Sequence, residues 1–92
     1  MNKDQKNVIA AEMLKAIAHP IRISIVELLA KSGQMNVTEI HQTLNIKQAI
    51  ASHQLNILKN RGVLNSKRKG KNSYYSVRNP NVITAINLLI KI

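Results

Sequence analysis

The residues best suited to chemistry fall in two short runs. The first, residues 46–61, reads IKQAIASHQLNILKNR. Gln48, Ser52, His53 and Asn56 offer donors and acceptors on short or medium side chains, and Lys47 places a positive charge just ahead of them. Such side chains can reach the edges of nucleic-acid bases: glutamine matches adenine N6 and N7, and serine pairs with either base type. The second run gathers Lys67, Arg68, Lys69 and Lys71, with Asn72 beside them. Clustered cations suit phosphates, whose contacts set affinity and register but carry no direct base information. Arg68 also suits a narrow minor groove, where arginine senses shape. Plainer readings stand beside these. Gln48 can be a helix-start residue without contacts. Ser52 can be small to allow close approach. The lysines can be a solvated turn that discourages strand pairing at an edge.

Other parts of the chain must position these residues. Ala51, Leu55 and Leu58 recur at i, i+4 and i+7, which predicts a helix with one buried stripe and the polar residues on other faces. Gly62 follows its last turn, where helices commonly stop. Upstream, residues 37–44 predict a shorter helix with Val37, Ile40 and Leu44 on one side. Asn45-Ile46-Lys47 joins the two as a tight turn. A short helix, a turn of about three residues and a longer helix make a helix-turn-helix, whose second helix fits the major groove.

Residues 1–7 are polar and expected to fray. Residues 8–18 predict a first helix with Val8, Ile9, Met13, Leu14 and Ile17 apolar, broken at His19-Pro20. Pro20 then opens a helix to about Lys31, with Ile21, Ile25, Leu28 and Leu29 inward. After Gly62 the period changes. Residues 63–68 and 73–77 are strand candidates around a turn at residues 69–72, a basic β-hairpin or wing. Tyr74 and Tyr75 should point to opposite faces of it. Asn79-Pro80 begins a last helix. The expected fold is mostly α with a β-hairpin wing (α+β): a winged helix-turn-helix.

Ninety-two residues form a single domain spanning 1–92. The absence of cysteine excludes disulfides and thiolate metal sites. No run approaches a membrane span and no signal peptide is visible, so a cytoplasmic protein without membrane contact is expected. The net charge is +10, unevenly placed. Asp4, Glu12, Glu27 and Glu39 all precede residue 40, while residues 40–92 carry nine Lys or Arg and no acid. That asymmetry points to a polyanion. Catalysis is not expected. No paired carboxylates, Gly-rich phosphate loop or supported Ser-His-Asp set is present, and neighbours such as Ser52 and His53 diverge by about 100° on a helix.

The last helix is apolar over more than one stripe, through Val82, Ile83, Ala85, Ile86, Leu88, Leu89, Ile90 and Ile92. A chain this short has little to cover it. A two-fold homodimer is therefore expected, with Met13, Ile17, Val82, Ile83, Ile86, Leu89 and Ile90 at the interface. The simpler possibility is that this helix completes the core of one chain.

With these residues placed, the chain resembles the ArsR/SmtB family of small winged-helix repressors, from about Leu14 to Val77. LKAIAHPIRISIVELL (14–29) is similar to the family's opening helices, and IASHQLNIL (50–58) to its recognition helix. Gly62-Val63-Leu64, Arg68-Lys69-Gly70-Lys71 and Tyr74-Tyr75-Ser76-Val77 are similar to its wing. The resemblance implies a dimeric repressor on a palindromic double-stranded operator, released by an inducer. Its metal sites have no counterpart here. One type puts Cys-x-Cys where this chain has Asn36-Val37-Thr38-Glu39-Ile40; the other puts Asp, His and Glu on the last helix, which has none from Val82 onward. His19 reads as structural and His41 as a solvated helix residue. No metal or cofactor is expected, and the inducer stays open. Two alternatives remain: a winged-helix module that docks protein, and a non-specific architectural DNA-binding protein.

Overall fold

The computed structural model describes residues 1–91, so Ile92 of the apolar C-terminal surface lies outside the described residues. Five helices and three short strands follow in order. These are α1 (Lys3–Ile17), α2 (Pro20–Ser32), β1 (Met35–Asn36), α3 (Val37–Leu44), α4 (Gln48–Asn60), β2 (Leu64–Lys69), β3 (Asn72–Val77) and α5 (Pro80–Ile90).

Local chemistry sets most boundaries. Residues 3–7 are helical, not frayed. Asn2 Oδ1 accepts from the Gln5 amide at 2.8 Å, and Gln5 Oε1 accepts from the Asn2 amide at 2.9 Å. This capping box satisfies donors that would otherwise lack partners. His19 caps α2, its Nδ1 accepting from the Ile21 amide at 3.2 Å, ahead of Pro20 at the first helical position. A second capping box, Asn36 with Glu39, starts α3. Asn45, left-handed at φ 54°, ends it. His41 is more than a solvated residue: half-buried, its Nδ1 lies 3.1 Å from the Ile46 carbonyl oxygen and closes the helix-turn-helix loop.

The recognition helix α4 is shorter than residues 46–61, because Ile46 and Lys47 stay in the turn. Its end is a Schellman arrangement. The Val63 amide donates to Leu58 O at 2.9 Å and the Gly62 amide to Lys59 O at 3.1 Å. This needs the positive φ of Gly62, +80°, and it buries Val63 beside Leu58.

The hairpin pairs Leu64 with Val77 through Lys69 with Asn72. Gly70, at φ +63°, takes the turn position where a two-residue hairpin favours glycine. The sheet also has a third strand that the sequence did not suggest. β1 lies along β3, Met35 opposite Tyr75, giving the order β1-β3-β2.

The core is almost entirely aliphatic. Ile25, Val26 and Leu29 of α2, Ile40 of α3, Leu55 and Leu58 of α4, Val63 in the turn after α4, and Leu64 and Tyr75 of the sheet meet in one cluster. Among the described residues no polar or charged side chain is buried. Three residues expected at a dimer interface are already part of this core in the single chain. Ile17, Val82 and Ile86 are buried within the single chain, because one stripe of α1 and of α5 packs on α2 and its neighbours. Met13 and Ile83 are half-buried against the same cluster. Leu89 and Ile90 stay exposed, joined by Leu14, Leu88, Val8 and Ile9, so the uncovered apolar surface is wider than and shifted from the expected set.

Candidate nucleic-acid interface

Helix α4 separates two jobs by geometry. Ala51, Leu55 and Leu58 have no exposed surface and anchor the helix. At 100° per residue, Ala49, His53 and Asn56 fall on the side away from that stripe, with Ser52 on its flank. Gln48, His53 and Asn56 are exposed and Ser52 half-exposed, so all four can meet an external partner. Gln54 is half-buried on the opposite flank.

The helix start is unusual within this chain. Lys47 occupies the N-cap position of α4 without a side-chain cap, whereas α1, α2, α3 and α5 each have one. The first amides of α4 therefore lack side-chain acceptors, and the positive end of a helix dipole suits an anion. Exposed Lys47 adds a full charge there.

The wing stands beside this helix start. A groove of about 250 Å3 is lined by Thr38, Gln48, Lys71, Asn72 and Ser73, together with Asn36, Val37 and Tyr75. It joins the start of the recognition helix, the start of α3 and the turn of the hairpin in one surface. Lys67, Arg68, Lys69 and Lys71 are all exposed. They do not share one face. Alternation places Lys67 and Lys69 on one side of β2 and Arg68 on the other, the side that carries Leu64 into the core. Lys69 Nζ sits 5.5 Å from the centre of the Tyr74 ring, a cation–π contact that steadies it. Tyr75 is buried and Tyr74 half-exposed, as alternation requires.

Two of the four acidic groups are engaged by other side chains or by backbone. Glu12 pairs with Arg61 at 2.6 Å and lies 3.8 Å from Lys15. Glu39 is held in its capping box. Three further residues lie on this surface: Thr38, in the shared groove, and Ala49 and Ile50, exposed in the first turn of α4. Apolar side chains there can touch a thymine methyl. Helical spacing alone puts Ala49 on the side of His53 and Asn56, but an apolar residue type carries no sign of base contact. Among the described residues, no three of His, Asp or Glu come together as a metal-binding group.

The model of the bacterial regulatory protein arsR family matches residues 19–66, which include the whole helix-turn-helix. The chain is 46% identical over 80 residues to the transcriptional repressor PagR of Bacillus anthracis, covering 86% of this chain and 79% of PagR. The chain belongs to the arsR family. To another relative, the transcriptional repressor SdpR of Bacillus subtilis, it is 38% identical over 78 residues, covering 85% of this chain and 86% of SdpR. In three dimensions it is similar to the crystal structure of PagR, with a TM-score of 0.87 and 39% identity over 95% of this chain and 99% of that one. A homodimeric winged helix-turn-helix DNA-binding domain from Mycobacterium bovis matches at a TM-score of 0.83 and 28% identity, over 97% of this chain and 82% of that one. The fold is thus the winged helix-turn-helix of arsR-family transcriptional regulators.

The wing makes a measurable demand. If Lys69 and Lys71 each neutralise one phosphate, Lys69→Ala and Lys71→Ala should each lower the slope of log affinity against log salt by about one per subunit. Random and selected duplexes should weaken almost equally. Arg68→Ala, on the other side of the strand, should weaken A-tract-flanked sites more than others. Fluorescence anisotropy across a salt series checks all three; an unchanged slope for both lysine variants removes the wing from the interface.

Proposed function

We propose that this arsR-family regulator is a homodimeric repressor that binds a palindromic double-stranded operator in the cytoplasm. Gln48, Ser52, His53 and Asn56 read base edges in the major groove, Lys47 and the first amides of α4 hold a phosphate, and Lys67, Arg68, Lys69 and Lys71 grip the flanking backbone. The observation that carries this reading is the shared surface of Gln48, Lys71 and Asn72, which puts the start of α4 and the basic wing side by side. A module built to dock protein has no use for that combination of an open helix N-terminus and concentrated positive charge. The repressor names of PagR and SdpR and the homodimeric state of the Mycobacterium bovis domain support the same reading. Catalysis has no place in it. Nor does a metal inducer, since neither metal-site pattern has its ligands in this sequence.

Base reading separates a repressor from an architectural DNA-binding protein. Gln48→Ala or Ser52→Ala should cost about 1–3 kcal/mol on a duplex selected from a random pool, and little on random duplex. Competition binding measures both. Equal losses on the two duplexes would sink the assignment.

Dimerisation can be separated from folding by choosing two residues on α5. Leu89 is 67% exposed in the single chain, so Leu89→Glu should leave it folded but monomeric by sedimentation, with operator affinity reduced. Ile86 is 2% exposed, so Ile86→Glu should unfold the protein by burying an unpaired charge. A folded, dimeric Leu89→Glu variant would place the interface elsewhere.

A further inference from the structure

Arg22, in the first turn of α2, reaches two other helices at once. Its Nε donates to Gln54 Oε1 on α4 at 2.8 Å. Its Nη1 donates to the carbonyl oxygens of Ala16 at 3.1 Å and Lys15 at 3.4 Å, in the last turn of α1. Carbonyls at a helix C-terminus lack intrahelical partners, and a cation is favoured there. One guanidinium therefore adds a donor to the end of α1 and holds the middle of α4. The fork is planar and rigid, and its hydrogen bonds are directional.

Other contacts constrain α4 differently. Ala51, Leu55 and Leu58 bury it, but apolar burial is non-directional and tolerates small rotations about the helix axis. Gln54 lies on the half-buried flank of α4, next to His53 and two residues from Ser52. It is placed to fix the rotation that apolar packing leaves loose. We infer that Arg22 and Gln54 are positioning residues that lock the angle between α1 and the recognition helix, and through it the half-site spacing that the protein accepts. In a two-fold dimer, the separation and orientation of the two recognition helices follow from how each is held relative to the helices at the interface. Neither residue touches DNA in this account. The inference rests on the dimeric, operator-reading function proposed above.

Gln54→Met keeps length and shape but removes the acceptor. Arg22→Lys keeps the charge but loses the fork. Both variants, their double mutant and the wild type would be titrated with three probes: the best duplex selected by the wild type from a random pool, the same duplex with its half-sites moved by single base pairs, and random duplex. The wild type should prefer its own spacing sharply. Each single variant should bind that spacing about 10-fold more weakly, the size expected for losing one hydrogen bond to a charged group. Each should bind shifted spacings relatively better and random duplex almost unchanged. The double mutant should be no worse than either single one, since both remove the same link. Equal losses on every duplex would reduce the link to a folding contact and overturn the inference. So would a variant spacing profile identical to that of the wild type. A wild type indifferent to spacing would instead defeat the dimeric-operator reading, and the inference with it. If Arg22→Lys melts far below the wild type, Gln54→Met alone decides.

Discussion

The structure depends on one amphipathic constraint: α4 must sink Ala51, Leu55 and Leu58 completely while leaving its other side bare. A helix that presents polar side chains to a partner cannot wander, so its burial has to be tight. The surroundings supply this. Ile40 of α3 and Ile25, Val26 and Leu29 of α2 form the floor beneath it. Asn45 and the bond of His41 to Ile46 fix the entry angle, and the Gly62–Val63 turn fixes the exit. The pair Glu12–Arg61 adds a surface tie from α1 to the end of α4, exposed enough to contribute little by itself. Core packing thus places α4, and polar contacts trim its orientation.

Electrostatics then gives the bare side its meaning. The positive charge of the second half of the chain is not spread evenly. It concentrates on the hairpin, with Lys47 at the start of α4, while Glu39 is held in a capping box and Glu12 in an ion pair with Arg61. Such a surface raises the local concentration of a polyanion and speeds encounter at low salt. The uncapped start of α4 works in the same direction. In the proposed function, affinity and orientation come from these charges, and discrimination is left to the few side chains around Gln48 and Ser52.

Much of this was legible in the sequence, because the helix-turn-helix is a local pattern. The spacing of Ala51, Leu55 and Leu58, the turn at 45–47 and the change of period after Gly62 are all near-neighbour signals, and the family resemblance drew on the same residues. What stayed hidden has physical causes. β1 spans two residues and exists only because β3 lies beside it, so no periodicity could reveal it. The start of α1 looked frayed because its residues are polar, although Asn2 and Gln5 spell a capping box. The burial of Ile17, Val82 and Ile86 within the single chain is not legible, because a wide apolar helix carries no mark of which stripe meets its own chain. The link from Arg22 to Gln54 crosses 32 positions and could not be read from either end.

The most direct test of the central claim is a titration of isotopically labelled protein with the selected duplex, followed by amide chemical shifts. On that claim, the largest changes should fall at residues 47–56 and 66–72, with small ones at Thr38 and almost none along the exposed side of α5. Changes centred on Leu88, Leu89 and Ile90, with α4 and the hairpin unmoved, would contradict it.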